Sequence, residues 1–246
     1  MKISVITCTW NSIQYLAESV ESVLAQDFND YEFVFVDGGS TDGTLEYIRQ
    51  LNHPYTLLEN VGGGIARAMN EGVRHASGDI ILHLHSDDYL AHPRVFSRVI
   101  QLFDTHRCDW LFGRVLSDID GGWVPDGYVP PAYSYATLLK RNFIAHPATF
   151  IRRQVFDRAG LFDEKIRYAM DYDLWLRIGK LYEPIQVNEI FAVFRRHDGS
   201  TTQKNYLASF EDDLRVRLSH ASGLARLEHV LRGAVRRKRL MRQWGR

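Results

Sequence analysis

Cysteine is scarce in this sequence. The chain has 246 residues but only two cysteines, Cys8 and Cys108. Cys8 lies within an apolar segment and Cys108 lies far from it in the chain, so neither a disulfide framework nor a cysteine-rich metal cluster is indicated. A chain of this length buries enough surface on folding to be stable without disulfides. The cysteine content therefore fits a reducing compartment.

Long hydrophobic runs are also lacking. No uninterrupted apolar stretch approaches the ~20 residues that a membrane-spanning helix needs. Residues 3–7 already have the composition of a core strand, which leaves no room for the basic segment and apolar run of a signal peptide. We therefore expect a cytoplasmic protein.

A net charge of one sign is missing, because 30 Lys and Arg balance 30 Asp and Glu. The balance hides an asymmetry, since residues 224–246 hold eight basic residues against a single acidic one, Glu228. The rest of the chain is correspondingly acidic. Apolar residues recur at helical spacing between these basic residues: Leu224, Leu227, Leu231, Ala234 and Val235.

This basic amphipathic tail predicts an interfacial helix attracted to anionic lipid headgroups. Each basic residue near such a surface contributes about 1 kcal/mol. Nucleic acid is the competing partner for a basic segment, but the apolar stripe and the lack of a nucleic-acid-binding motif favour the membrane and no nucleic acid. A solvated helix packed on the domain is the third alternative.

Apolar segments and turn-rich segments alternate regularly through the first part of the chain. Short apolar runs rich in β-branched residues predict strands, and segments with apolar residues on one face predict helices. The predicted strands are residues 3–7, 31–36, 55–59 and 80–85, and the predicted helices are residues 11–26, 44–50 and 65–76. This order predicts an α/β fold with a mostly parallel sheet and helices on both faces.

The alternation is less regular beyond residue 90. The predicted helices there are residues 93–106, 134–140 and 171–181, and the predicted strands are residues 110–117, 148–151 and 185–194. Residues 121–131, rich in Gly, Pro and aromatics, have no regular pattern. No repeat or low-complexity linker divides the chain, so we expect one domain over residues 1–205 and a C-terminal helical segment over residues 206–246.

Two carboxylates, Asp87 and Asp88, follow the strand predicted over residues 80–85. In an open α/β sheet the carboxyl ends of strands line the ligand crevice, where adjacent carboxylates can hold a divalent cation that binds a diphosphate. The alternative is a turn in which an aspartate caps the next helix. Asp37 ends the second strand in the same way, and its carboxylate can accept hydrogen bonds from a base or ribose, or can simply belong to a turn.

The glycines at 62–64 suggest a dinucleotide fingerprint, but two features exclude it. The third glycine position holds Arg67, and the loop follows the third strand instead of the first. What remains is a helix start at Gly64 whose free amides, with Arg67 and Asn70, can face an anion. A flexible connection before a core helix is the alternative.

Four motifs together resemble family 2 glycosyltransferases of the GT-A fold. They are residues 4–11 (SVITCTWN), 34–44 (VFVDGGSTDGT), 64–88 (GIARAMNEGV through SDD) and 170–177 (MDYDLWLR). Each motif alone is unspecific, but their order and spacing are typical of the family. The resemblance implies a GT-A fold and a nucleotide-sugar donor.

The resemblance also assigns the donor site. It implies that Asp37 contacts the uracil or ribose, and that the loop through Gly64 and Arg67 lies over the nucleotide. The D-x-D element of the family matches His85-Ser86-Asp87, with Asp87 as the ligand of Mn²⁺ or Mg²⁺ on the donor diphosphate and Asp88 beside it. The first aspartate is replaced by His85, and a neutral imidazole cannot supply the same pair of acceptors to the ribose. Further donor-site residues are expected in the motifs already given: Thr7, Thr9, Asn11, Asn70 and Ser86.

Asp171 matches the general base of inverting members. Inversion requires a carboxylate opposite the departing diphosphate, which takes the proton of the attacking hydroxyl. A carboxylate at a helix start is exposed enough for this role, although it can equally serve as a helix cap. His197 follows the last core strand and is expected to close over the diphosphate as a metal ligand or through Arg195 and Arg196, whereas His146 is a candidate for the acceptor cleft. For either one, a hydrogen-bonded surface or core histidine is the alternative.

The resulting hypothesis is a metal-dependent, inverting glycosyltransferase. It moves one sugar from a nucleoside diphosphate donor, UDP-linked, to a hydroxyl of a lipid-linked or growing glycan in bacterial surface polysaccharide synthesis. Single addition is expected because the membrane spans and the Q-x-x-R-W element of processive relatives are missing. The alternatives are a sugar nucleotidyltransferase, which needs a Gly-rich basic loop after the first strand, and a non-catalytic nucleotide-sugar-binding or membrane-scaffold protein.

Overall fold

Nine strands and nine α-helices are found in residues 1–119, 121–124, 129–197 and 205–244, which are the residues that a computed structural model of the protein describes. The strands are β1 (Ile3–Thr9), β2 (Tyr31–Asp37), β3 (Tyr55–Leu58), β4 (Ile80–His83), β5 (Tyr89–Leu90), β6 (Trp110–Ile119), β7 (Gly122–Val124), β8 (Thr149–Arg152) and β9 (Ile185–Arg196). The helices are α1 (Ile13–Leu24), α2 (Thr44–Arg49), α3 (Ile65–His75), α4 (Val95–His106), α5 (Tyr135–Lys140), α6 (Val155–Ala159), α7 (Met170–Leu181), α8 (Tyr206–His220) and α9 (Gly223–Trp244).

The strands form one sheet in the order β3-β2-β1-β4-β8-β6-β9-β5, with β7 on β6. The first four strands in this order pair in parallel, as predicted from the β-α alternation. β8 runs antiparallel between β4 and β6, and β9 returns to the parallel direction beside β6. The α/β prediction is thus confirmed, with an antiparallel β8 inserted.

Two hydrophobic cores cover the two faces of the sheet. Along β1 the side chains alternate between them, because successive residues of a strand point to opposite faces. Ile6 packs with α3 and α7 on one face, whereas Val5 packs with α1 and α4 on the other. Burial of both faces explains why these strands are nearly continuous apolar runs.

Several boundaries differ from the predicted ones. β4 ends at His83, two residues early, because the chain turns there and the Asp88 amide donates to the His85 carbonyl at 3.1 Å. α1 begins at Ile13 instead of residue 11, since Asn11 has φ 51°, a left-handed conformation that a helix cannot include. The segment 121–131, predicted irregular, contains β7. Residues 125–128 of that segment lie outside the described residues.

The C-terminal helices pack on the α/β body and on each other. His220 at the end of α8 meets Asp173 of α7 at 2.8 Å, and Gly233 of α9 lies against Leu214 of α8. The predicted boundary at residue 205 adjoins residues 198–204, which lie outside the described residues. Across the described ranges, no helix combines the length and apolar character needed to cross a bilayer.

Gly72 provides a test of how closely α3 approaches β1. A Cβ at this position would lie 2.3 Å from Ile6 Cγ2, so Gly72→Ala forces the helix away from the sheet. Alanine favours an unhindered helix by ~1 kcal/mol, but overpacking costs ~1–3 kcal/mol, so we expect net destabilisation in urea unfolding. Arg74→Ala, on the exposed face of the same helix, should change stability by less than ~0.5 kcal/mol. A Gly72→Ala protein as stable as the wild type would contradict this packing.

Candidate active site

The carboxyl ends of β1, β2, β4 and β9 lie along one edge of the sheet. Parallel pairing puts Thr9 of β1 opposite Asp37 of β2, and β4 runs parallel to β1 toward residues 85–88. At the end of β9, the Arg195 amide donates to Asp88 Oδ1 at 3.1 Å. Four segments that are distant in sequence therefore converge on one crevice, as expected for an open α/β sheet.

Asp87 and His197 meet at this edge. The distance from His197 Nε2 to Asp87 Oδ2 is 3.0 Å, and both side chains are half-buried. The ring of Tyr15 lies 4.9 Å from the His197 ring and limits its movement. The structure thus brings together the two side chains that we predicted as metal ligands.

This pair fits a divalent cation as a partial ligand set. A carboxylate oxygen and a neutral imidazole are both ligands of Mn²⁺, and Mg²⁺ usually keeps several waters or phosphate oxygens besides one or two protein ligands. Among the described residues, no group of three or more His, Cys, Asp or Glu side chains is arranged to hold a metal. Asp87 and His197 would therefore share the cation with the oxygens of a diphosphate and with water.

Asp88 does not face the crevice. It is buried, its Oδ1 accepts from the Arg195 amide, and its Oδ2 has no partner among the described residues. Burial, reinforced by the charge of Asp87, raises the pKa of Asp88 well above its usual value. The prediction that Asp88 binds the donor is corrected, because its carboxyl group points into the protein.

Arg195 also points inward. Its Nε donates to the Asp87 carbonyl at 3.1 Å, and its guanidinium pairs with Asp118 at 3.1 Å and with Glu18. The same group lies over the rings of Tyr15 and Tyr89, at 4.8 and 5.2 Å. These contacts occupy the guanidinium, so the expectation that Arg195 closes over the diphosphate is corrected. Arg195 instead fixes the backbone that carries Asp87.

Asp37 organises the loop that follows β2. Its Oδ1 accepts from the amides of Gly39 and Ser40, and its Oδ2 accepts from the hydroxyls of Ser40 and Thr9. Burial works against ionisation, but these hydrogen bonds outweigh it and hold the pKa of Asp37 below its usual value. Because the carboxylate is inaccessible and fully hydrogen-bonded, the predicted direct contact with base or ribose is corrected to an indirect role.

The first motif forms the wall beside this loop. Thr7 is buried in β1, and Thr9 donates to Asp37 at 2.8 Å. Asn11 binds the same loop through its backbone amide, which donates to Ser40 Oγ, and through its side-chain oxygen, which accepts from the Thr41 backbone amide. Ser86 donates to Ser12 Oγ at 3.0 Å and so joins the first motif to the end of β4.

Trp10 is a site candidate that the sequence reasoning missed. Its side chain is 72% exposed at the carboxyl end of β1, next to Gly38. An exposed indole at the mouth of a crevice offers a flat surface on which a nucleobase can stack. The position of Trp10 within the first motif, residues 4–11, could have identified it as a candidate.

The residues predicted around the start of α3 differ in exposure. Gly64 and Arg67 are exposed at the start of the helix, where free amides and a guanidinium are available to an anion. Asn70 is buried, and its side-chain Nδ2 donates to the Phe162 carbonyl and to the Glu164 carboxylate. Its Oδ1 accepts from the Phe162 backbone amide. The prediction that Asn70 faces the donor is corrected, because its donors and acceptor are used in fixing residues 162–164.

Asp171 lies in the first turn of α7 and is half-buried. Its Oδ1 accepts from the Tyr172 amide at 2.7 Å, and its Oδ2 accepts from Asn142 Nδ2 at 3.4 Å. Burial raises the pKa of Asp171 to about 6. A carboxylate with this pKa is a better proton acceptor near neutral pH than an ordinary aspartate, which is what general base catalysis requires.

Asp173, two residues later, has the opposite environment. It accepts from His220 Nε2 and from Arg177 Nε, each at 2.8 Å. Although burial opposes ionisation, the hydrogen bond from His220 and the charge of Arg177 lower the pKa of Asp173. The ionised Asp173 therefore has a structural role, because its bond with His220 joins α8 to α7.

Three histidines lie between the end of β4 and helix α7. The His146 ring lies 5.1 Å from His85, 5.5 Å from His83 and 5.5 Å from Trp175, which is one helical turn after Asp171. Burial lowers the pKa of His85, and it lowers the pKa of His83 to about 3. The position at which the family pattern has an aspartate thus carries the His85 ring, which packs on His146. His83 was not singled out in the sequence.

Residues 4–159 match the model of the family described as Glycosyl transferase family 2. This match covers more than half of the chain and includes the first three motifs. The chain belongs to glycosyltransferase family 2.

Relatives of this family 2 chain include large synthases. It is 32% identical over 209 residues to a chondroitin synthase of Pasteurella multocida, a match that covers 82% of this chain and 21% of the synthase. The chain therefore spans about a fifth of the length of that relative.

Solved structures show the same fold. The S. aureus TarS 1–349 structure in complex with UDP-GlcNAc matches with a TM-score of 0.73 at 23% identity, covering 93% of this chain and 69% of that one. The mannosyltransferase PcManGT from Pyrobaculum calidifontis, in complex with GDP-Man and Mn²⁺, matches with a TM-score of 0.65 at 20% identity, covering 89% and 62%. The fold of this family 2 member is therefore the GT-A fold, as the sequence indicated.

Replacing either aspartate of α7 by asparagine should change the free energy of unfolding, but in opposite directions for Asp171 and Asp173. The raised pKa of Asp171 means that the folded protein binds this proton more tightly, so wild-type stability falls as the pH rises from about 4 to about 6. We expect Asp171→Asn to raise the free energy of unfolding by ~1–2 kcal/mol at neutral pH and by nothing near pH 4, after allowance for partial exposure.

Asp173→Asn is the matched comparison. Because the pKa of Asp173 is lowered, its stabilisation is present above its unfolded pKa and is lost as the pH falls. We expect this variant to lose ~1–3 kcal/mol at neutral pH. Urea unfolding of both variants from pH 4 to pH 8 measures the two effects. Equal changes of the same sign would refute the contrast between the two sites.

Proposed function

We propose that the protein is an inverting glycosyltransferase that moves a single sugar from a nucleoside diphosphate sugar, UDP-linked, to a hydroxyl of a glycan. One observation carries the proposal. Ring contacts from His85 to His146 at 5.1 Å, and from His146 to Trp175 at 5.5 Å, link the segment of Asp87 to the helix of Asp171. This run of contacts supports a cation site at Asp87 and His197 and a base of raised pKa at Asp171 on one crevice.

The donor diphosphate would bind at Asp87 and His197. Mn²⁺ or Mg²⁺ held by these two residues would neutralise the charge that develops on the leaving diphosphate. Arg195 holds the backbone of Asp87 in place through its bond to the Asp87 carbonyl. The Mn²⁺ in the PcManGT complex supports this assignment for the fold.

The nucleotide would lie between the loop after β2 and the start of α3. Trp10 offers a stacking surface there, Asp37 shapes the loop, and Arg67 supplies an exposed positive charge. The UDP-GlcNAc in the TarS complex supports a UDP-linked donor. The GDP-Man of the PcManGT complex shows that the fold also accepts a second nucleotide, so the donor must be screened.

Asp171 would act as the general base. Its Oδ2 would take the proton of the acceptor hydroxyl as the oxygen attacks the anomeric carbon, and the bond to the diphosphate breaks on the opposite face. The hydrogen bonds from Tyr172 and Asn142 orient the carboxylate for this transfer. The sequence similarity to a chondroitin synthase supports a sugar hydroxyl of a polysaccharide as the acceptor.

We further propose that residues 1–205 form the catalytic domain and that residues 206–246 bring it to the inner face of the bacterial cell membrane. The buried residues on the inner face of α9 are His229, Gly233 and Leu240, and Gly233 lies against Leu214 of α8. The opposite face is apolar and exposed, with Leu224 at 85%. The exposed apolar side chains of α9 include Leu224, Leu227, Val230, Leu231, Val235 and Met241.

Basic residues flank this apolar face on both sides. By helical position, Arg226 and Arg237 lie on one side and Arg232 and Arg239 on the other, and Lys238 lies within the apolar strip toward its C-terminal end. An apolar strip bordered by cations suits the boundary between headgroups and acyl chains of an anionic bilayer. A lipid-linked acceptor at that surface would then be close to the crevice.

Active-site variants test the proposed chemistry. In a thermal-shift screen of nucleotide sugars with Mn²⁺ or Mg²⁺, a UDP-sugar should raise the melting temperature by mass action. Asp87→Ala should lower metal-dependent hydrolysis of that donor at least ~100-fold. Asp171→Asn should keep the thermal shift but lower glycosyl transfer ~10²–10⁴-fold, and wild-type transfer should decline as the pH falls through about 6.

Asp104→Asn, on the exposed face of α4, is the matched control and should leave hydrolysis and transfer unchanged. Full hydrolysis by Asp87→Ala, or full transfer by Asp171→Asn, would refute the assigned roles. A donor that binds without any hydrolysis or transfer in the wild type would instead favour a non-catalytic binding protein.

Membrane binding by α9 is tested by liposome flotation of the full chain. Vesicles containing anionic phosphatidylglycerol should carry the wild type, and neutral phosphatidylcholine vesicles should not. The pair Leu227→Glu and Leu231→Glu should abolish flotation, because it places charge in the acyl boundary. The pair Leu24→Glu and Leu181→Glu, at exposed positions of α1 and α7, controls for the added charge. Undiminished flotation of the α9 variant would exclude this surface.

A further inference from the structure

A small pocket adjoins the proposed base and takes no part in the donor site. It has a volume of about 160 Å³ and is lined by residues 113–115 of β6, by Pro130 and by residues 142–145. Its wall is divided almost evenly between polar and apolar surface, and its polar side chains are Arg114 and Asn142. Such a pocket is below the ~300–1,000 Å³ of sites for larger ligands, so it suits one group of a substrate.

A β-bulge places Arg114 in this wall. The pairing of β6 with β9 shifts register on both sides of Arg114. The bulge depends on Gly113, where a Cβ would lie 2.7 Å from the Glu189 carbonyl oxygen and 2.5 Å from the Phe191 ring. Bulges of this kind change the direction of a side chain. The sequence alone gave no sign of this bulge, since residues 110–117 have the composition of a regular strand.

The charge of Arg114 is unpaired within the described part of the chain. Its Nη1 donates to Asn188 Oδ1 at 3.2 Å, and its buried Nε has no partner. Arg114 is half-buried, yet it forms no salt bridge there with any carboxylate. The neighbouring Glu189 pairs with Arg98 instead, at 2.7 Å. A partly buried guanidinium without an anion is costly, and a planar fork of free donors matches a carboxylate or a phosphate.

Asn142 connects the pocket to the proposed base. It lines the pocket, and its Nδ2 donates to Asp171 Oδ2. A molecule that fills the pocket would therefore lie next to the group that takes the proton. We infer that the acceptor carries an anionic group, a carboxylate or a phosphate, which binds Arg114 in this pocket and presents the attacking hydroxyl to Asp171. This inference rests on the proposed transferase function and adds the chemical class of its acceptor.

Binding of matched small molecules to the full chain tests the inference without requiring turnover. The probes are methyl β-D-glucuronide with its neutral match methyl β-D-glucoside, and glycerol 1-phosphate with its neutral match glycerol. Dissociation constants are measured by ligand-observed NMR. We expect at least one anionic probe to bind at least tenfold more tightly than its neutral match. The glucuronide arm and the phosphate arm then distinguish the two sources of anion.

Variants of Arg114 assign the preference to the pocket. Arg114→Gln, which can still donate to Asn188, should abolish the tenfold preference, and Arg114→Lys should retain part of it because it keeps the charge but not the fork. Arg49→Gln is the matched control, since Arg49 belongs to α2, which connects β2 to β3 at the other end of the sheet. Melting temperatures establish that each variant is folded. An equal affinity for charged and neutral probes, or a preference that survives Arg114→Gln, would overturn the inference.

Donor measurements separate this outcome from that of the proposed function. UDP-induced thermal shift and UDP-sugar hydrolysis should be the same in Arg114→Gln and in the wild type, because Arg114 lies outside the donor site. With an anionic acceptor, Arg114→Gln should raise KM at least tenfold and change kcat less. A wild type that neither binds nor hydrolyses any UDP-sugar would refute the transferase proposal. The preference for anionic probes is measured without a donor, so it tests the ligand of the pocket independently.

Discussion

Parallel pairing of β1 with β2 and β4 is the constraint on which the site depends. It brings the ends of three strands to one edge, and the antiparallel insertion of β8 lets β9 deliver a fourth end there. Arg195 of β9 then bonds the Asp87 carbonyl after β4 and the Asp118 carboxylate of β6. These bonds hold the segment of Asp87 beside the end of β9, where His197 lies 3.0 Å from Asp87.

The same residue type takes different roles according to its surroundings. Asp37 and Asp173 receive several donors, and their pKa values are lowered. Asp88 and Asp171 are poor in donors, and burial raises their pKa values. Asp171 is only half-buried, which suits the base proposed above, whereas Asp88 is buried. The number of donors and the direction of the carboxylate thus decide between scaffold and reactive group.

Short-range patterns predicted much of this arrangement. The alternating strands and helices fixed the α/β class, and the four motifs indicated the family that the comparisons confirm. The pairing of Asp87 with His197, 110 residues apart, followed from both residues ending strands that line the crevice. Asn70 and Arg195 were misjudged, because their types and positions suit an anion site. Their real partners, Phe162, Glu164 and Asp118, come from distant segments.

The sequence by itself determined the strand and helix order, the motif residues and the basic amphipathic tail, because these depend on local composition and periodicity. The tertiary structure alone decided which carboxylates have a raised pKa, which arginines pair with carboxylates and which loops pack together. Hydrogen-bond partners, burial and the bulge at Arg114 arise from contacts between segments far apart in the chain. Solvation and charge pairing are set by those contacts, so no local pattern encodes them.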